Sequence, residues 1–452
     1  MRTTSATESA PAVTLYRRLG CGTATSVIVA NMIGTGIFTT TGLLLAQLES
    51  GWMVMLCWAV GGLVALSGAL SYAELATMMP RAGGEYVYLS ETYGPWAGFL
   101  TGWTSFFVGF SAPIAATGVA VSLYLTAAGV LPDSWLAQKT IALGVMALFS
   151  AVHYVGLRAG AHVQNALTAL KLLLLGGLLA VGFAFGNGSW SFLEAGSVFW
   201  SPGNVSGLGV AMLLVMFAYS GWNASAYLAE EVRDPARTLP RSLLAGTLTV
   251  MVLYLLVNLL FFYAAPVPAL SGQEAVGEVA AKGLFGEGAA RWLGLMIAVA
   301  LLSSLSAYIL IGPRVYFGMA RDALFFRFAA QVHPRFGTPS ASIVAQGICA
   351  GVMILTGTFE QLLVYIGFAL GIFPWMTVAS VLVLRRRQPD RERPYRVWGY
   401  PLLPLFYLAV STTIMVFAFV GRPWPSSIAI LTVLAGIPFY YAAVANRRRQ
   451  RV

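Results

Sequence analysis

Stretches of about twenty consecutive apolar residues recur from one end of this 452-residue chain to the other, and no other feature limits its fold so strongly. A hydrocarbon core of ~30 Å takes roughly 20 apolar helical residues to cross. Twelve candidate crossings can be read, at about 17–47, 52–79, 95–126, 139–157, 163–185, 206–231, 241–264, 288–318, 340–357, 361–384, 400–421 and 424–444. Only 10% of the residues are charged, against ~25% in an ordinary soluble domain, so a soluble fold is excluded. The expected fold class is an all-α integral membrane protein in a lipid bilayer.

Lys and Arg outnumber Asp and Glu by 27 to 17, a net charge of +10. Such an excess suits nucleic acid when it covers one surface, but basic loops are also what a membrane protein retains on its cytoplasmic side. With the N-terminus inside, 22 of the 27 fall on that side: Arg2, Arg17, Arg18, Arg81, Arg158, Arg233, Arg237, Arg241, Arg314, Arg321, Arg327, Arg335, Arg385 to Arg387, Arg391, Arg393, Arg396, Arg447 to Arg449 and Arg451. The other side keeps Lys139, Lys282, Arg291 and Arg422, and Lys171 falls inside a crossing. A missed crossing would invert every later loop, so the asymmetry supports the count and both cytoplasmic termini together. It also accounts for the charge without a nucleic acid partner.

No linker divides the chain, which reads as one polytopic domain. Residues 1–13 lack an apolar core and precede a crossing too long for a cleaved signal, so they are expected to be a disordered cytoplasmic tail, with a basic tail at 447–452. Residues 270–286 are too charged to cross and are expected along the outer surface. The stretch 80–95, PRAGGEYVYLSETYGP, suits a loop or short helix beside the membrane, and RRRQPDRERPYR a solvated connection. Cys21, Cys57 and Cys349 are odd in number, without a CxxC, inside apolar sequence. They support neither a disulfide framework nor a thiolate metal site and are expected as small buried hydrophobes.

The first crossing contains Asn31-Met32-Ile33-Gly34-Thr35-Gly36-Ile37-Phe38. Glycine costs ~1 kcal/mol relative to alanine inside a helix, so two of them mark either a small-residue packing face or a break. A break at membrane depth is tolerated only where the freed backbone lines protein or a polar cavity, and the N–H groups opening the second half then attract an anion. The sixth crossing carries a second interruption, Phe217-Ala218-Tyr219-Ser220-Gly221-Trp222-Asn223, at the corresponding place in a second group of five. Paired interruptions of this kind point to a transporter's midplane site, although no convincing identity links crossings 1–5 with 6–10.

In the fifth crossing Lys171 lies eight residues in, ~12 Å below the surface at 1.5 Å per residue. A lysine there costs ~3 kcal/mol even on a lenient insertion scale. Gln164, Thr168 and Lys171 share an arc of roughly 60° while leucines cover the rest, so the polar stripe is expected to face the bundle. The lysine either snorkels to the cytoplasmic surface or is itself a cation fixed near the site.

These residues resemble the amino acid, polyamine and organocation (APC) superfamily of secondary transporters, nearest its L-type amino acid transporter and bacterial amino acid permease branches. The resemblance covers essentially the whole chain. It is carried by FAYSGWNASAYLAEEVRDP from Phe217 to Pro235, IGTGIF in the first crossing, SYAELATMMPRAGGEYVY after the second, QNALTALK in the fifth and PRVYFGMARDALFFRFAAQVHPRFGTP after the eighth. It implies about twelve transmembrane helices: two inverted five-helix repeats, 14–185 and 206–387, and two C-terminal helices, 398–446, with helices 1 and 6 discontinuous. It implies a substrate carboxylate on the N–H groups around Thr35, Gly36 and Ile37, next to Ile33 and Gly34. The ammonium is implied on carbonyls of Phe217, Ala218 and Ser220, with Trp222 and Asn223 gating or lining the pocket. Where the family usually shows Gly-Ser-Gly, this chain has Gly34-Thr35-Gly36. Lys171 matches a lysine that replaces a bound sodium ion near helices 1 and 8, with Ser303 and Ser304 as candidates to share the locus, and exchange of a proton by Lys171 is a separate expectation.

The implied activity is therefore sodium-independent amino acid transport by alternating access, through exchange or proton-coupled uptake, with protons a candidate partner and no cofactor or metal. L-type members join a glycoprotein heavy chain through a cysteine after the third crossing; AAGVLPDSWLAQ contains none, so no disulfide-linked partner is expected and the setting is a bacterial or archaeal plasma membrane. A cationic amino acid or polyamine carrier would need a carboxylate facing the pocket. Glu74, the one acid deep in a crossing, is expected near Arg17, Arg18 or Arg81, and Glu230 and Glu231 in a cytoplasmic gate. With no midplane acid, a neutral substrate is favoured. A membrane enzyme is disfavoured, since Asp133, Asp234, Asp322 and Asp390 fall in loops, His153, His162 and His333 sit at loop edges, and no HExxH is present. A channel would want charge rings or repeated filter carbonyls, and neither is visible.

Overall fold

The computed structural model describes residues 15–194, 204–357, 359–421 and 423–449. The tail expected at 1–13 and the last residues, 450–452, lie outside the described residues. A helix covers each apolar stretch. The first is split into α1 (Cys21–Met32) and α2 (Gly36–Leu48), followed by α3 (Gly51–Met78), a short α4 (Glu85–Tyr93), α5 (Pro95–Ala127), α6 (Trp135–Val155) and α7 (Leu157–Phe185). The sixth is split into α8 (Asn204–Ala218) and a single turn, α9 (Ala224–Tyr227). Then come α10 (Pro235–Ala264), α11 (Val276–Phe285), α12 (Ala289–Arg321), α13 (Ser340–Thr356), α14 (Phe359–Arg387), α15 (Leu402–Gly421) and α16 (Pro423–Arg449). By length and composition α3, α5, α6, α7, α10 and α12 each suffice to cross a membrane, and α1 and α2, bent by 41° at the break, suffice together.

The helix ends follow local chemistry. Ser50 and Ser134 cap α3 and α6 by accepting the N–H groups of Met53 and Ala137, and Pro95 and Pro235 occupy first turns, where a missing N–H costs nothing. Inside α5, Pro113 cannot donate to Gly109, and the turn before it widens to a π-helix over Ser105–Ser111. In α7 the buried residues Gln164, Thr168, Lys171, Leu175 and Leu179 recur every three or four positions, whereas Leu173 is 73% exposed. The polar stripe thus faces the bundle as its spacing predicts.

The end of the bundle rich in arginine is laced by ion pairs. Arg314 and Glu231 meet at 2.8 Å with both side chains buried, Arg321 holds Glu230 at 2.8 Å, and the more exposed Arg81 holds Asp322 at 3.1 Å. The chain before α1 is clipped on: Arg18 and Leu19 donate their N–H groups to the Glu231 carbonyl, and Arg233 returns one to Leu19. Glu230 also accepts the N–H groups of Leu15 and Ala82. Burial opposes its ionisation, but these donors and the Arg321 guanidinium outweigh it and hold its carboxyl below the usual range.

Several expectations need correction. Glu74 pairs with Arg385 (2.6 Å) and Arg393 (3.4 Å), not with Arg17, Arg18 or Arg81. Part of the RRRQPDRERPYR run is therefore buried, because a carboxylate on α3 draws its guanidinium groups inward. Cys21 is exposed, since it sits in the first, outward turn of α1. His153 lies in the last turn of α6, buried against Ser306, and His162 lies within α7. Most consequential, the short helix allowed for at 80–95 does form, at residues 85–93, but its first residue, Glu85, is buried among α3, α5 and α9.

Candidate functional site

The two interruptions come together where their backbones touch. A Cβ on Gly36 would lie 3.0 Å from the Ala218 Cβ, and one on Gly221 3.0 Å from the Asn31 backbone. Gly221 also has φ of 99°, a conformation side chains rarely adopt. Beside this contact opens a cavity of about 200 Å³. Its wall includes Gly34, Thr35, Gly36, Phe217, Ala218, Ser220, Trp222, Asn223 and Ser304. The widened turn of α5 adds Ser105, Gly109 and Phe110. Ile33 and Ile37 are buried and bring only their main chain to the break.

The main chain presents two opposite faces. At the start of α2 the N–H groups of Thr35, Gly36 and Ile37 have no backbone acceptor among the described residues, and no side chain caps them. Together with the positive end of the helix dipole they form an anion site. At the end of α1 each of the last four carbonyls already has a donor from another helix. Lys171 donates to Ala30 (3.1 Å) and Ile33 (2.6 Å), Tyr308 to Asn31 (3.4 Å) and Tyr254 to Met32 (2.6 Å). Tyr254 also approaches the Ala218 carbonyl at 3.0 Å, so one phenol sits between the ends of α1 and α8.

Lys171 sends its third N–H to Ser304 Oγ at 2.8 Å, which spends all three donors of the ammonium. Ser304 in turn donates to Ile33. The lysine therefore does not snorkel; it ties α7 to α1 and α12. Ser303 is not among its partners and is held instead by Gln164 and Thr168. Glu74, Glu230 and Glu231 do not line the cavity but belong to the ion pairs at the arginine-rich end.

At the cavity wall beside α9, Trp222 packs edge-on against Tyr72 and Tyr407, with ring centres 4.8 and 5.9 Å apart. Asn223 donates to Glu85 Oε1 at 2.8 Å. The same oxygen accepts from Tyr72 at 2.6 Å, and Thr101 and Tyr227 also reach the carboxyl. Glu85 lines the cavity. The sequence alone did not single it out, because the stretch around it reads as a loop or short helix beside the membrane rather than as part of the bundle. Tyr254, Tyr308 and Asn31, whose Oδ1 has no hydrogen-bond partner among the described residues, were missed too: nothing in a single sequence distinguishes a tyrosine beside a broken helix from one in the core.

Residues 19–441 match the family model described as "Amino acid permease". The chain is similar to the Asc-type amino acid transporter 1 of Mus musculus, at 29% identity over 97% of this chain and 83% of that protein. It is also similar to the serine/threonine exchanger SteT of Bacillus subtilis (strain 168), at 30% identity over 94% and 97% of the two chains. The b(0,+)-type amino acid transporter 1 of Mus musculus is 29% identical over 95% and 88%.

Proposed function

The chain belongs to the amino acid permease family and is a multi-pass membrane transporter of amino acids, not an enzyme, and from that premise we propose that it carries neutral L-amino acids without sodium, by alternating access. The observation that carries the reading is the cavity beside the two interruptions, with N–H groups that have no backbone acceptor among the described residues on one side and the carbonyl end of α8 on the other. A zwitterion has its carboxylate on the Thr35, Gly36 and Ile37 N–H groups and its ammonium on carbonyls of Phe217, Ala218 and Ser220, and its side chain points toward Trp222 and Asn223. Asn31 Oδ1 is a further acceptor for the ammonium. Lys171 stands in for sodium: an ammonium already satisfied by α1 and α12 leaves a metal ion no place there.

The helices are two inverted repeats, 14–185 and 206–387, followed by helices 11 and 12 at 398–446, twelve crossings in all. Both termini, including the tails at 1–13 and 447–452, are cytoplasmic in a plasma membrane, so the paired Glu74, Glu230 and Glu231 belong to the inner gate. Residues 127–138 lack a cysteine and the transporter works without a disulfide-linked heavy chain. The names of the similar proteins, a serine/threonine exchanger and an Asc-type transporter, support a small neutral substrate. Glu85 favours a second reading, a cationic substrate, because it brings to the cavity the carboxylate that such a carrier needs. Against that, its oxygens already accept from four neutral groups.

The test is purified protein in liposomes, loaded with unlabelled amino acid and offered labelled alanine, serine, leucine, lysine and putrescine without sodium. Accumulation of the neutral set is expected. Uptake of lysine or putrescine alone would overturn the neutral reading, and a requirement for sodium would overturn the role of Lys171.

A further inference from the structure

Glu85 is a buried carboxyl that the substrate-binding geometry leaves unused. Its residue is 5% exposed, and its partners are a phenol on α3 (Tyr72), a hydroxyl on α5 (Thr101), the amide of Asn223 at the start of α9 and a phenol within α9 (Tyr227). These four donors come from three directions and fill the roughly four lone-pair positions a carboxylate has. The other titratable groups facing it are also phenols, Tyr88 on its own helix and Tyr407 on α15. No Lys, Arg or His forms an ion pair with it among the described residues, in contrast to Glu74, Glu230 and Glu231.

A buried carboxylate without a counter-charge is costly, and either a cation or a proton removes that cost. Hydrogen bonds from neutral donors hold the ionised form, and a neutral carboxyl in the same place must turn its own O–H toward an acceptor. Two acceptors are adjacent, the amide oxygen of Asn223 after rotation and the Tyr227 oxygen, which now accepts from Asn223 at 3.3 Å. Either choice reverses a hydrogen bond at the start of α9, next to Ser220, Gly221 and Trp222 in the cavity wall.

We propose that Glu85 is the proton site of the transport cycle: one proton from water binds a Glu85 oxygen when the cavity faces outward, reorients Asn223, and leaves to water inside together with the amino acid. Only an O–H bond forms and breaks. This rests on the transport reading above and names its coupling ion. The inner-gate carboxyl Glu230, held ionised by Arg321 and main-chain donors, is not the group that titrates.

The experiment uses the full chain in liposomes enclosing a pH-sensitive dye, either empty of amino acid or loaded with unlabelled alanine to read exchange, with labelled alanine or lysine outside and an inward proton gradient. Wild-type uptake is expected to rise several-fold with the gradient and to acidify the lumen. E85Q is expected to lose both, and whatever alanine exchange it retains is insensitive to pH. Wild-type exchange without proton entry would overturn this inference alone; no amino acid movement in any mode would overturn the function as well. Gradient stimulation surviving in E85Q also overturns it, as does selective loss of lysine uptake, which would make Glu85 a subsite for a cationic side chain. Should E85Q not reach the membrane, Tyr72→Phe removes one donor from the ionised form and is expected to move the midpoint of gradient-driven uptake up by roughly one pH unit. An unmoved midpoint overturns the proposal.

Discussion

A hydroxyl has one proton to give, and Tyr254 faces two carbonyls, Met32 at 2.6 Å and Ala218 at 3.0 Å. The phenol favours one at a time: the Met32 carbonyl keeps the Gly34 N–H when it is released, whereas the Ala218 carbonyl, once released, is open to the proposed substrate ammonium. Tyr254→Phe leaves both without that donor in a buried place, which costs ~1–3 kcal/mol. The expected outcome is substrate affinity weakened by about tenfold with the protein still folded, measured by binding in detergent; unchanged affinity would remove Tyr254 from the site. The two glycines of the first break separate by space. A Cβ on Gly36 presses on Ala218 at 3.0 Å, whereas one on Gly34 meets nothing within 4 Å. Gly36→Ala is expected to abolish uptake and lower thermal stability, because the two breaks must move apart. Gly34→Ala is expected to leave stability unchanged and to raise KM, since its methyl occupies the cavity. Lys171 could be placed from sequence because an ammonium in a leucine helix must find partners. Which carbonyls it takes could not, because they belong to a helix 141 residues away in the chain.

At the scale of elements, legibility followed periodicity. The stripe Gln164, Thr168 and Lys171 on α7 was readable because helical spacing places those residues on one face. Both breaks were readable because glycine is expensive inside a helix. The short helix α4 was one of two readings of its stretch, but its place was not readable: only packing by α3, α5 and α9 turns that segment into a cavity wall. The widened turn of α5 was equally hidden, since Pro113 announces a lost hydrogen bond but not how the helix absorbs it. Its consequence is local. The turn brings Ser105, Gly109 and Phe110 to the cavity, so Pro113→Ala, which restores a donor to the Gly109 carbonyl, is expected to tighten the turn and change substrate selectivity more than stability. Competition by a panel of neutral amino acids reads that change; an unaltered ranking would mean that the turn only fills space.

For the whole molecule the arginine-rich end is closed, and its contacts differ sharply in strength. Arg81 and Asp322 are 51% and 34% exposed in their side chains, a pair of the kind worth ~0–1 kcal/mol. Arg314 and Glu231 are 1% and 0% exposed and are joined by two hydrogen bonds, of 2.8 and 3.0 Å. The Glu231 backbone also receives Arg18 and Leu19, so the segment ahead of α1, the turn after α9 and α12 meet at one residue. On the proposed alternating-access reading, that junction opens during the cycle. Removing one partner, as in Glu231→Leu, leaves Arg314 buried and unpaired, at a cost of about 3–5 kcal/mol. A large fall in melting temperature and loss of uptake are expected. Replacing both, Glu231→Leu with Arg314→Met, removes the charge that must be desolvated and restores most of the thermal stability. Uptake stays low in the double variant, because apolar contact does not exchange its partners for water as an ion pair does when the end opens. Restored stability with restored uptake would show that the pair is structural only. A double variant as unstable as the single one would show that the junction is held by shape rather than by charge.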